Sequence, residues 1–368
     1  MRPEPRTPES SVVVRAEPTD SATYTASSRL QAAGLAHAIA LFERAAEHVR
    51  LPTPPQPIVV ADYGAANGHN SLKPLAAAIA VLRRRTRHDH AILVAHTDVP
   101  DNDFTALFRT LADDPDSYLH SDTTSFASAI GRSFYGQILP SKTVNLGWSS
   151  WATQWLSRIP CEIHDHVHVA HSDDDAARAA YARQAAADWH DFVAFRGREL
   201  APEGRLVILT LAVDGDGKSG FEALLDAIVA ALTDRARDGL LSQDELRRMA
   251  VPIFGRGEKD LRSPFAPSGR FEGLTIERLE MFTAEDRFWA RFQNDEDAEA
   301  FGARWAAFAR AALLPALAGA LDGGAGDPRA VEFVGQVEAA VAQRLASAPE
   351  PMRIPLAAVV LVKRERAH

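Results

Sequence analysis

The stretch Ile58-Val59-Val60-Ala61-Asp62-Tyr63-Gly64-Ala65-Ala66-Asn67-Gly68-His69-Asn70 decides how the rest of the chain is read. Its first four residues form the short β-branched, apolar run expected of a strand buried on both faces of a parallel sheet. Asp62 closes that run, and Gly64 to Gly68 make a turn of small residues. A helix is expected from about Ser71 to Arg84. A strand, tight turn and helix in this order leave free N–H groups at the helix start. The small residues beside them allow a ligand to approach the main chain closely.

Working outward, Leu30, Leu35, Ile39, Phe42 and Ala46 recur near helical spacing between Arg29 and Val49, and Pro-rich residues 51–57 end that helix. Residues 1–20 mix Arg, Glu, Pro and Ser and read as a flexible leader. Downstream, a second strand is expected over Ala91–Ala95, with Asp98 beyond it. Further strands are expected at Thr143–Leu146, Leu206–Leu211 and Leu356–Val362. Helical patterns carry Tyr181, Ala185, Trp189 and Phe192 on one face, then run over Phe221–Asp238, Ala298–Leu321 and Ala330–Ala346. Residues 250–275, with Pro252, Pro264 and Pro267, read as a loop excursion. The alternation predicts an α/β fold with a largely parallel sheet. One domain is expected over 21–368, with cap segments at about 161–200, 219–270 and 295–322.

Bulk composition narrows the function classes. The chain has 368 residues, 46% hydrophobic, with a formal charge of -9 that argues against broad nucleic-acid binding. Arg83, Arg84, Arg85 and Arg87 read as a solvated helix C-terminus favoured by the helix dipole. Cys161 is the only cysteine, so neither an intrachain disulfide nor a thiolate metal cluster can form. No apolar run approaches the roughly 18 residues of a membrane span. The first 20 residues lack the apolar core of a signal peptide. The cytoplasm is therefore the expected location. His164, His166 and His168 alternate and would share a face on a strand, which could suit a transition metal, and His171 follows. Their polar surroundings, with Asp165 and Asp173 to Asp175, read instead as a loop, and no metal is expected.

Open α/β sheets bind ligands beyond the carboxyl ends of their strands. Asp98, one strand after the turn, sits where a carboxylate can accept hydrogen bonds from two ribose hydroxyls. The turn is not G-x-G-x-x-G, because Ala66 replaces a glycine and none follows at the third site. The interval from Gly64 to Asp98 is also long for a dinucleotide fold. Both points disfavour an NAD-dependent dehydrogenase and leave S-adenosylmethionine as the better ligand. No G-x-S-x-G elbow is present.

Four motifs then occur in order: Asp62-x-Gly64-x-x-x-Gly68-x-Asn70; Asp98-Val99-Pro100-Asp101-Asn102-Asp103-Phe104 with Leu107-Phe108; Ser133-Phe134-Tyr135-Gly136; and Trp155-Leu156-Ser157-Arg158-Ile159-Pro160. This set resembles the SABATH family, the salicylate, benzoate and jasmonate carboxyl methyltransferases and the related N-methyltransferases of caffeine synthesis. The resemblance runs from about Tyr24 to the Leu356 strand. It implies a Rossmann-like methyltransferase sheet with a mainly helical cap, and S-adenosylmethionine as cofactor. It places Asp62, Gly64 and Asn70 near the amino-acid end of the cofactor, Asp98 and Val99 at its ribose and adenine, and Ser133 and Phe134 beside the adenine. The segment Tyr24-x-x-x-Ser28-x-x-Gln31 would close over the site, with Ser28 touching cofactor and Gln31 the substrate carboxylate. Trp155 would give its indole N–H to the same carboxylate. Trp151, Gln154 and Leu225 would line the pocket.

The chain departs from the family in two places. The Lys that many members carry near the N-terminus has Arg15 as its candidate substitute. The oxygen ligands of a magnesium site would fall near Arg247, Met249 and Ala250, which cannot supply them, so no magnesium is expected. The chemistry implied is attack of a small carboxylate, ionised at neutral pH with its reference pKa of about 4, on a sulfonium methyl. That step needs positioning and exclusion of water rather than a proton carrier, so no acid–base residue is expected. A small, aromatic or planar apolar acid is the expected partner, and the resemblance implies a homodimer. An N-methyltransferase of a heteroaromatic ring and a catalytically silent nucleoside-binding protein stand as alternatives.

Overall fold

The computed structural model describes residues 34–364. Helix α1 (Leu35–His48) leads through the Pro-rich connector into strand β1 (Ile58–Tyr63), and the turn of small residues opens helix α2 (His69–Arg85). Strand β2 (Ile92–Asp98), helix α3 (Phe104–Asp113), β3 (Ser125–Gly131) and β4 (Val144–Ser150) follow. The long helix α4 (Asp175–Glu199) runs directly into β5 (Leu200–Leu211). Helix α5 (Glu222–Arg237), β6 (Leu274–Thr283), α6 (Ala298–Ala312), α7 (Ala330–Ser347) and β7 (Pro355–Lys363) complete the order.

The seven strands make one sheet in the order β3-β2-β1-β4-β5-β7-β6. The pairs from β3 to β5 are parallel, and β7 lies antiparallel to both β5 and β6. The predicted α/β architecture is thus present. The strand order reverses between β1 and β4, where Val60 pairs with Leu146 and Asp62 with Trp148. Such a reversal leaves a crevice at the carboxyl ends of the two strands.

Two strands escaped the sequence pattern. β3 is made largely of Ser, Ala and Gly around the exposed Phe126, an edge strand with little apolar signal. β6 is an edge strand rich in charge, and it replaces part of the expected loop excursion. The rest of that stretch is also less peripheral than expected, because Val251, Ile253, Leu261 and Phe265 are buried.

The segment 161–200 divides between cap and sheet. Tyr181 and Ala185 on α4 pack with Leu156, Ile163 and Val169. Further along the same helix Trp189, Phe192 and Val193 pack against Ala61, Tyr63, Leu206 and Ile208 of the sheet. The opposite face of the sheet is covered by α1, α2, α5, α6 and α7 in the largest apolar cluster. Arg83 and Arg85 are less free than the expected solvated terminus: Arg83 pairs with Asp122 and Arg85 donates to carbonyls of Ala46 and Val49.

The end of α4 carries a fully buried ion pair, Arg196 and Glu199, 2.9 Å apart. Glu199 also accepts from the Tyr63 hydroxyl (2.7 Å) and from the N–H groups of Ile138 (2.6 Å) and Leu139 (3.1 Å). Arg196 donates to the carbonyls of Phe134 (3.0 Å) and Gly136 (2.8 Å). Burial pushes the Tyr63 phenol well up, so it remains a donor. One helix end thus ties β1 to the irregular segment 134–139. Replacing Glu199 with Ala strands a buried guanidinium, and the expected loss is about 3–5 kcal/mol of folding stability. Urea denaturation monitored by circular dichroism checks this.

Candidate active site

The carboxyl ends of β1, β2 and β4 open into one cavity. Of the candidates within the described residues, Gly64, Asn70, Asp98, Val99, Ser133, Phe134, Trp151, Gln154, Trp155 and Leu225 all line it. Asp62 does not. Its carboxylate lies beneath the turn and accepts from His96 Nδ1 (2.9 Å), whose Nε2 accepts from the Tyr118 hydroxyl (3.0 Å). Asp62 Oδ2 is thus part of a buried relay that anchors the strand end. Ser28, Gln31, Tyr24 and Arg15 lie outside the described residues.

The turn after β1 is shaped by backbone chemistry. Gly64 has φ +85°, and a Cβ there would meet the Ala152 methyl at 2.4 Å, so the loops after β1 and β4 touch only because this residue has no side chain. Gly64 and Ala65 N–H groups both donate to the Thr97 carbonyl. Asp98 closes the turn: one carboxylate oxygen accepts from Ala66 N–H (2.7 Å), the other from its neighbour Val99 N–H (2.8 Å). Asn102 Nδ2 donates to the Ala66 carbonyl (2.9 Å). Burial raises the Asp98 pKa, the two amides oppose that shift, and nearby Asp62 adds to it. Each carboxylate oxygen keeps a further lone pair.

A further part of the cavity wall follows β4. Trp151 holds a left-handed backbone at φ +54°, rare for a bulky side chain. Gln154 locks it by donating to the Trp151 carbonyl (2.7 Å) while accepting from Thr210 Oγ1 (3.2 Å). Trp155 is fixed through its main chain: its carbonyl accepts from the Tyr135 hydroxyl, and it pairs with Ile253. No protein group among the described residues takes its indole N–H. Phe221 and Phe308 stack with centroids 6.1 Å apart and line the same chamber.

Several lining residues carry no sequence signal strong enough to find. Ile253 sits in the Pro-rich stretch read as loop, and Phe308 and Leu313 lie on helix positions that resemble core. His168 is a further case. The histidines are not on a strand: His164 is exposed, while His166, His168 and His171 converge around a short 3-10 turn. Among the described residues no group of His, Cys, Asp and Glu side chains could hold a metal ion.

The donor set suits a nucleoside sulfonium. Asp98 can accept from a diol, Val99 and Phe134 offer apolar faces to a planar base, and the N-terminus of α2 beside Asn70 can meet a carboxylate. Ser150 Oγ and Trp151 Nε1, both in the cavity wall, are buried without a protein partner among the described residues, as expected of groups that serve a ligand.

A family model described as SAM dependent carboxyl methyltransferase matches residues 10–361. The chain belongs to this family. It is 25% identical over 250 residues to the salicylate carboxymethyltransferase of Clarkia breweri, covering 65% of this chain and 67% of that protein. It is likewise 25% identical over 239 residues to a benzoic acid/salicylic acid carboxyl methyltransferase of Petunia hybrida, covering 61% and 66%. The matched segment thus spans about two thirds of these relatives. A solved loganic acid methyltransferase with SAH shares the fold at a TM-score of 0.74 and 20% identity, over 95% of this chain and 99% of that one. Among the described residues no helix is long and apolar enough to cross a membrane.

Gly64→Ala tests the family's turn in this chain. The left-handed backbone alone costs an L-residue about 1–2 kcal/mol, and the contact with Ala152 adds to it. A lowered denaturation midpoint is expected, while Gly215→Ala, at a position with open space around it, leaves the midpoint nearly unchanged.

Proposed function

We propose that this protein transfers the methyl group of S-adenosylmethionine to the carboxylate of a small aromatic or planar apolar acid. The observation that carries the reading is the junction of the cavity. An acidic and apolar cradle at the ends of β1 and β2 meets an aromatic chamber, with Trp155 lining the cavity between them. Family membership supports the cofactor and the reaction type. The names of the salicylate and benzoate relatives support the class of acid. A cytoplasmic homodimer completes the reading, supported for the dimer by the family resemblance.

When bound, S-adenosylmethionine supplies an electrophilic methyl on a sulfonium. Asp98 holds the ribose hydroxyls, Val99, Ser133 and Phe134 flank the base, and Gly64 and Asn70 meet the amino-acid end. Trp155 aims the acceptor by donating its indole N–H to one carboxylate oxygen, and Gln31 is its proposed companion. Trp151, Gln154 and Leu225 shape the chamber around the acid. Because charge is lost as the ester forms, the apolar wall of Trp151, Phe221, Leu225 and Phe308 favours the step by excluding water. No side chain has to carry a proton.

Two outcomes check the reading. Trp155→Ala should lower methyl-ester formation at least tenfold while leaving the Kd for S-adenosylhomocysteine, read by calorimetry, within about twofold. Mild alkaline hydrolysis of product labelled from the cofactor should release methanol, whereas label retained as an N-methyl group would overturn carboxylate transfer. Asp98→Ala removes acceptors for two hydroxyls at about 1 kcal/mol each, an expected tenfold to hundredfold weaker cofactor affinity. In the unaltered protein that affinity depends on the ionised carboxylate. It should be constant above the Asp98 pKa and fall as pH drops through it, at a pH above the ordinary carboxylate range because burial raises that pKa.

A further inference from the structure

His168 is buried and lines the cavity together with the residues proposed to hold the acceptor acid. Its neighbours define that placement. Val167 O accepts from Val251 N–H (2.7 Å), and the same short segment pairs Ile253 with Trp155. On the other side His171 Nε2 lies 3.3 Å from Ser219 Oγ, and Ser219, Phe221 and Leu225 all line the chamber.

The local hydrogen bonding assigns the tautomer. His168 Nδ1 accepts from the Ala170 N–H (3.2 Å), so in the neutral ring the proton sits on Nε2. His166 Nδ1 likewise accepts from the His168 N–H (3.0 Å), and its Nε2 faces Asp226 at 3.6 Å. No described protein group accepts from His168 Nε2–H. Burial, with His171 and His166 beside it, pushes the His168 pKa down to about 3, so the ring stays an uncharged donor and adds no cation near a sulfonium. A neutral donor without a protein acceptor, in a chamber walled largely by apolar side chains, costs free energy unless an oxygen meets it.

We propose that His168 Nε2–H hydrogen-bonds an oxygen substituent of the acceptor acid remote from its carboxylate, in a cavity whose wall also carries Ser219, the partner of His171. The protein thereby selects hydroxy or keto acids over their hydrocarbon counterparts. This rests on the carboxyl methyltransferase reading and deepens it: Trp155 recognises one end of the acid and His168 the other. A site that hydrogen-bonds a substrate oxygen discriminates against the analogue lacking it, because the buried donor is then left unpaired.

The test uses matched acids: benzoate with 3- and 4-hydroxybenzoate, cinnamate with 4-hydroxycinnamate, and cyclohexanecarboxylate with 4-oxocyclohexanecarboxylate. The full-length protein should show a kcat/KM at least tenfold higher for the oxygenated member of at least one pair. His168→Phe should erase that preference, and His168→Gln, which keeps an N–H donor, should restore part of it. With nitrogen-15 labelled histidine in the unaltered protein, the His168 Nε2 signal should shift on adding the oxygenated acid with S-adenosylhomocysteine, and not with the parent. This readout does not depend on the variants folding. Methylation with equal preference in every pair, or an unmoved Nε2 signal, overturns the role of His168 and leaves the methyltransferase reading intact. Absence of methylation across the panel, with cofactor bound, overturns both.

Discussion

A buried guanidinium and a buried carboxylate at the end of α4 hold the two sides of the site in register. Arg196 and Glu199 are fully enclosed, a placement that is costly unless partners meet their donors and acceptors, and all but Arg196 Nε have one. The partners that satisfy them are not in α4. They are the Tyr63 hydroxyl at the end of β1 and the main chain of residues 134–139, a segment with no helix or strand of its own. The electrostatic demand of the pair thereby gives an irregular loop one conformation, and that loop presents Phe134 and Tyr135 to the cavity. A second buried network, Tyr118 to His96 to Asp62, does the same for the end of β1.

The cavity built on this frame separates two kinds of recognition. Near the β1 and β2 ends the polar groups come mainly from the main chain and from Asp98, whose own geometry depends on the amides it accepts from. Toward α5 and α6 the wall is aromatic and aliphatic, with few polar groups: the indole of Trp155, the imidazole of His168 and the hydroxyl of Ser219. Reaction by positioning and desolvation needs such a division, because a charged group in the second half would compete with the carboxylate for the methyl donor.

The motif-bearing parts of this arrangement were legible in the residue string. Ile58 to Gly68 announces a strand and a close turn because backbone geometry at Gly64 admits no side chain, a constraint written locally. Asp98 and Trp155 could be placed because their neighbours form ordered motifs. β3 and β6 were not legible: they are edge strands whose pairing depends on β2 and β7, and their own residues are small or charged. The Asp62–His96 pairing was not legible for a similar reason. A carboxylate ending a strand at a binding turn can face the ligand or the sheet, and only the arrival of His96 in the next strand decides between them.

The sequence by itself determined the α/β class, the turn after β1 and the residue set from Gly64 to Trp155, because backbone sterics and short motifs act over a few neighbouring positions. The tertiary structure alone decided that the histidines form no strand and that His168 joins the chamber wall. It also decided which face of Asp62 is used and how α4 is shared between cap and sheet. Those outcomes depend on groups far apart in the chain meeting in a medium without water, where each buried donor or acceptor takes whatever partner the fold brings to it.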